Sequence, residues 1–156
     1  MYIQPYLFFN GTCEEAVTFY AKALGGKVVM LSRFKDAPTP PPSSDPDGGP
    51  QATPEQIKEN DNRVMHARVE VHGQVIMASD CPSHFTYEGI HGCSIALGFD
   101  DVATGEKAFN QLAEGGQVGM PFGETFWSER FGMVVDRFGV SWMVNAGKPK
   151  AVPEGG

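Results

Sequence analysis

Moving the sequence along itself by 90 positions superposes Leu7 on Leu97, Phe9 on Phe99, Phe19 on Phe109 and Ala23 on Ala113. It also superposes Gly25-Gly26 on Gly115-Gly116, Val28 on Val118 and Met30 on Met120. These are eight identities in 24 ungapped positions. A self-similar chain is built from copies of one supersecondary unit, so this repeat limits the fold more than any composition value does. The later part of each half matches at an offset of 66. There Val69, Gly73 and Met77 meet Val135, Gly139 and Met143, and Glu70 meets Asp136. The offsets differ by 24 positions, so the first half carries an insertion of about that length. Residues 36–60, opening Asp36-Ala37-Pro38-Thr39-Pro40-Pro41-Pro42, have the Pro/Gly/Ser-rich composition of a loop.

Each half reads strand, helix, strand, strand, strand. The first helix spans 13–24, with Thr12 and Glu15 spaced as a capping box. Cys13, Ala16, Val17, Tyr20, Ala23 and Leu24 share one face, and Gly25-Gly26 stops it. The second spans about 101–114 from Asp100 or Asp101, carries Ala108, Phe109, Leu112 and Ala113 on one face and ends at Gly115-Gly116. Gly105 within it lowers its helix propensity. A short helix over 55–59 follows Thr53 as N-cap and Pro54 at its first position. The expected strands are 2–9, 27–34, 63–71 and 74–80 in the first half, and 92–99, 117–122, 130–137 and 140–145 in the second. The predicted fold class is α+β: two β-α-β-β-β units forming a cupped mixed sheet with helices on its outer face. Residues 1–147 make one domain, with units at about 1–81 and 90–147 and a frayed tail at 148–156.

A chain of 156 residues is long enough for a real core, burying on the order of 70% of its unfolded surface. Its net charge of −7 opposes binding to nucleic acid or an anionic membrane. No stretch approaches the ~20 apolar residues of a membrane span. Met1-Tyr2-Ile3-Gln4-Pro5 lacks the basic region of a signal peptide, so the expected location is the cytoplasm. Cys13, Cys81 and Cys93 are scattered without a CxxC pair, and all three are expected as buried or half-buried thiols.

Strand alternation assigns the faces. With His72-Gly73 as a two-residue turn, Ala67, Val69, Val71, Ile76 and Ala78 face a helix, and His66, Arg68, Val75, Met77 and Ser79 face away. In the second hairpin, with a turn around Phe138-Gly139, Val135, Trp142 and Val144 face the helix; Val134, Ser141, Met143 and Asn145 face away. In the first strands Leu7, Phe9, Leu97 and Phe99 lie on the helix side. Gln4, Tyr6, Phe8, Ser94, Ala96 and Gly98 lie opposite. The opposite faces mix aromatics, methionines and single polar groups, the lining of a small-molecule pocket.

Two such units resemble the vicinal oxygen chelate superfamily of glyoxalase I, bleomycin-resistance proteins and extradiol dioxygenases, and within it the PhnB-like branch. The resemblance rests on Pro5-Tyr6-Leu7-Phe8-Phe9-Asn10-Gly11, Phe19-Tyr20, Met65-His66-Ala67, Ile76-Met77-Ala78-Ser79-Asp80 and Gly123-Glu124-Thr125-Phe126-Trp127. It also rests on Asp136-Arg137-Phe138-Gly139-Val140-Ser141-Trp142-Met143. Metal-using members take a ligand from the first and last strand of each unit, usually His or Glu. The matching positions here are Gln4, Met77, Ser94 and Met143, an amide, a hydroxyl and two thioethers, a poor set for a hard or borderline divalent cation. No metal and no other cofactor is expected. The branch is often labelled as related to demethylubiquinone methyltransferases, yet the glycine pairs follow helices and no GxGxxG or P-loop is present. The resemblance also implies a homodimer.

Single residues admit two readings each. His66 is a general base or ligand contact, or a structural histidine. Arg68 clamps a carboxylate or phosphate, or pairs with Glu70 or a loop acid. Trp127 and Phe126 stack on a flat ligand, or pack in a core or interface. Glu124 is catalytic or caps a turn, and His84 is an exposed loop residue. The expected pocket comprises Gln4, Tyr6, Phe8, His66, Arg68, Met77, Ser79, Ser94, Trp127, Met143 and Asn145. The expected function is binding of a small molecule of unknown identity without a metal. The alternatives are a lyase or isomerase, metal-dependent or using His66 and Arg68 alone, and a protein whose pocket is vestigial.

Overall fold

The computed structural model describes residues 1–38 and 52–150. The middle of the expected insertion and the end of the tail lie outside them. The chain divides into two compact units, Met1–Gly89 and Ile90–Gly156.

The first unit runs β1 (Tyr6–Phe9), α1 (Cys13–Leu24), β2 (Lys27–Arg33), a 3-10 turn (Phe34–Asp36), α2 (Pro54–Asn60), β3 (Val64–Val71) and β4 (Gln74–Asp80). Its sheet order is β1-β4-β3-β2, with β1 parallel to β4 and the other pairs antiparallel. α1 covers one face. Leu7, Phe9, Ala67, Val69, Ile76 and Ala78 are buried beneath Ala16, Val17, Tyr20 and Leu24. Each large apolar side chain so enclosed contributes roughly 1.5–3 kcal/mol. α2 forms where Thr53 and Pro54 predict it, and Thr53 and Gln56 exchange both bonds of a capping box.

α1 starts as expected, but its capping box does not form: Thr12 makes no side-chain capping bond. Asp80, at the end of β4, takes that role. Its Oδ1 accepts from the backbone N–H groups of Gly11 (2.8 Å) and Cys13 (3.0 Å), and its Oδ2 from that of Val64 (2.9 Å). One buried carboxylate thus ties the start of a helix, where a negative charge is favoured, to the start of β3 and the end of β4. This partner is distant in sequence and leaves no local signature.

The second unit runs β5 (Ile95–Phe99), α3 (Val102–Ala113), β6 (Gln117–Gly123), β7 (Ser128–Val135) and β8 (Ser141–Pro149), with sheet order β5-β8-β7-β6. The repeat extends to fine detail. In β2 the register slips between Val28 and Met30, and in β6 between Val118 and Met120, at the same place in each copy. Gly26 and Gly116 are both required by close approach, because a Cβ would collide with the Glu70 carbonyl in one unit and the Val135 carbonyl in the other. Gly105 is an asset to α3: a Cβ there would sit 2.5 Å from the Ala146 Cβ, so its absence lets the helix settle on β8.

Several boundaries differ from the sequence reading. β1 begins at Tyr6, since Pro5 lacks a ladder N–H, and Tyr2 and Ile3 are exposed. β5 begins at Ile95, leaving Ser94 ahead of the strand. β8 continues to Pro149, two residues into the stretch expected to fray. Cys93 is exposed, whereas Cys13 is buried and Cys81 half-buried.

The largest correction concerns β7. The ladder pairs Val134 with Trp142 and Val135 with Ser141, so Val134 faces α3 and Val135 faces away. Val134 is 1% exposed and Val135 40%. The cause is the turn. In the first hairpin Val71 pairs with Gln74 around His72-Gly73, both with positive φ, as a two-residue turn requires. In the second, the Asp136 N–H donates to the Val140 carbonyl (2.9 Å), closing a loop one residue longer. One extra residue sends every β7 side chain to the other face. Val69 therefore corresponds to Val134, and Arg68 to Met133.

Candidate functional site

In the first unit, β3 sends Ala67 and Val69 into the core and presents His66 and Arg68 on the opposite face. Arg68 stands across the ladder from Met77, which in turn neighbours Tyr6. Phe8 neighbours Ser79 in the same way. Tyr6, Phe8, His66, Arg68, Met77 and Ser79 thus share one sheet face away from α1. Gln4 lies ahead of β1 and is half-buried.

Tyr6 leans over β4 toward β3. Its Oη lies 3.0 Å from His66 Nδ1, and the two rings stack at 5.6 Å. Phe8 tilts against Tyr6 at 5.1 Å. The result is an aromatic shelf of Phe8, Tyr6 and His66. Tyr87 closes on the strand beneath it, its hydroxyl donating to the Phe8 carbonyl at 3.1 Å. Burial, reinforced by the proximity of Cys81 and Asp80, raises the Tyr87 pKa.

Arg68 is the unbalanced group. Its Nε is shielded from solvent and has no hydrogen-bond partner. Among the described residues Arg68 also makes no ion pair, Glu70 included. A shielded donor without an acceptor costs roughly 1–3 kcal/mol.

In the second unit Asn145 and Trp127 line a cleft of about 380 Å3, together with Gly98, Asp100, Ser128 and Gly147. Asp100, Ser128 and Gly147 lie outside the pocket expected from the sequence. They fall at strand ends, where alternation gives no signal. Met143 lies between Ala96 and Met133 on the same sheet face as Asn145. Ser94 Oγ lies 2.7 Å from Ser141 Oγ. Met133 stands where the first unit has Arg68, so the charge belongs to one unit only.

Glu124 pairs with Lys150 instead of capping its turn, and that bond lowers its pKa. Phe126 is 70% exposed, while Trp127 packs edge-on against Phe131 at 5.4 Å. His84 is half-buried, with its ring 4.5 Å from Phe85 and its Nδ1 enclosed without a partner, so the exposed loop position expected for it is not found.

The residues at the positions that the resemblance matches to metal ligands do not suit a divalent cation. The corresponding positions are Gln4, Met77, Ser94 and Met143, and among the described residues no three His, Cys, Asp or Glu side chains converge. Thioethers are soft donors, and an amide and a hydroxyl add no negative charge to hold a divalent cation.

Comparison with known proteins gives a consistent picture. A model of the Glyoxalase/Bleomycin resistance protein/Dioxygenase superfamily matches residues 2–144. Protein YjdN of Escherichia coli (strain K12) is 34% identical over 150 residues, covering 95% of this chain and 97% of that protein. The crystal structure of protein PA1353 from Pseudomonas aeruginosa is 45% identical, with a TM-score of 0.79 over 94% of this chain and 98% of that one. A structure from Bacillus cereus, titled putative 3-demethylubiquinone-9 3-methyltransferase, PhnB protein, is 25% identical. Its TM-score is 0.70 over 94% of this chain and 100% of that one.

Proposed function

The chain belongs to the Glyoxalase/Bleomycin resistance protein/Dioxygenase superfamily, and from that premise we propose that it binds an anionic or carbonyl-bearing small molecule without a catalytic metal. The observation that carries this reading is Arg68, a guanidinium with a shielded, unpartnered Nε on the sheet face away from α1. An arginine without a carboxylate, in a chain of net charge −7, is supplied with its missing acceptor by an anionic ligand. The reading takes the functional form to be a homodimer, as the resemblance implies, in the cytoplasm; sedimentation of the purified protein checks the first part.

A thermal-shift screen of carboxylates and carbonyl compounds on chelator-dialysed protein tests it. A ligand at a hundred times its Kd stabilises the folded state by about 2.7 kcal/mol. Such shifts should appear in the wild type and vanish in Arg68→Ala. Shifts that appear only after a divalent metal is added back would refute the reading.

A second reading, a metal-free lyase or isomerase, is favoured by the Tyr6–His66 contact. A hydroxyl on Nδ1 fixes the imidazole and leaves Nε2 to exchange a proton with a substrate. Turnover lost in His66→Gln with binding retained would establish it. The methyltransferase name of the Bacillus cereus protein gains no support from these residues. The strand-to-helix turns, 10–12 and 100–101, contain only Gly11, too little for a glycine-rich nucleotide cradle.

A further inference from the structure

We infer that the first unit's site selects planar aromatic carboxylates over aliphatic ones; this rests on the proposal that Arg68 receives an anion. Tyr6 is 39% exposed and Phe8 55%, although both lie on a sheet face and touch each other. Single exposed aromatics are common on protein surfaces. Two in contact, with an imidazole stacked on one of them, form an exposed aromatic patch that favours a ring packed against it.

The charge sits where such a ligand would need it. His66 ends the shelf, and Arg68 is two residues along the same strand face, about 7 Å away. A carboxylate carried at the edge of a ring lying over Tyr6 and His66 points at the guanidinium. The planar fork of arginine matches a carboxylate bidentately, and the unpartnered Nε forms one edge of that fork. Met77, directly across the ladder, is unbranched and can shift to open the way. An aliphatic carboxylate would satisfy Arg68 and leave the shelf uncovered. A neutral aromatic would cover the shelf and leave Arg68 unsatisfied.

Equilibrium dialysis with 2-naphthoate, hexanoate and 2-naphthol separates these contributions. The wild type should bind 2-naphthoate at least tenfold more tightly than either of the others. Phe8→Ala should weaken 2-naphthoate at least fivefold and leave hexanoate unchanged. Arg68→Ala should weaken 2-naphthoate and hexanoate alike, with Arg68→Lys as the control if the alanine variant fails to unfold cooperatively. Hexanoate binding as tightly as 2-naphthoate, while still depending on Arg68, would overturn the aromatic selectivity and leave the anion site intact. No binding of either carboxylate, or binding indifferent to both Arg68 variants, would overturn the anion site and the selectivity with it.

Discussion

Trp142 donates its indole N–H to Asp136 Oδ2 across 2.8 Å, and both residues are buried. The other oxygen of the same carboxylate accepts from the backbone N–H groups of Phe138 (2.8 Å) and Val140 (3.1 Å). One side chain therefore sets the length of the β7–β8 turn and satisfies the largest fully buried side chain of the fold.

Asp136→Ala leaves the indole N–H and two backbone N–H groups without this acceptor. Hydrogen bonds to a charged group are worth about 1.5–3 kcal/mol each, so the loss should exceed 3 kcal/mol. Asp136→Asn keeps one acceptor oxygen and should lose less. Urea unfolding of the two variants measures the difference.

The face correction yields a sharper contrast. Val134→Asp places a charge in the core beneath α3 and should cost at least 4 kcal/mol or prevent folding. Val135→Asp, one residue along on the exposed face, should change stability by no more than about 0.5 kcal/mol. Comparable effects at the two sites would restore the shorter turn.

These residues also show where the sequence is legible. Strand-helix-strand order, helix ends and the His72-Gly73 turn follow from periodicity and glycine placement, because those signals are local. Phe138-Gly139 looks like the same turn, yet Asp136 lengthens it through bonds to its own loop, and periodicity cannot detect one added residue. The N-cap duty of Asp80, far along the chain from α1, is hidden for a related reason: the acceptor comes from another strand. The placement of Arg68 beside Met77 was legible because the His72-Gly73 turn and strand alternation together determine it. The lean of Tyr6 across β4 to His66 was not, because it depends on rotamers.

The Cys13 thiol offers a pH test. Burial, then the Asp80 and Glu14 charges, push its pKa up to about 12 from 9.0. The folded state holds this proton more tightly than the unfolded chain does. Its contribution to stability is complete below about pH 9 and is lost as pH rises toward 12. Cys13→Ala should flatten that alkaline decline. A thiol reagent at pH 8 should label Cys93, which is exposed, and leave Cys13 unmodified until the protein unfolds.

Calorimetric titration of chelator-treated protein with benzoate tests the central claim, anion binding through Arg68 without a metal. Affinity should be the same before and after chelation, and Arg68→Ala should weaken it by about 1.5–3 kcal/mol. Binding that disappears with the chelator and returns with zinc, or that survives Arg68→Ala unchanged, would contradict the claim.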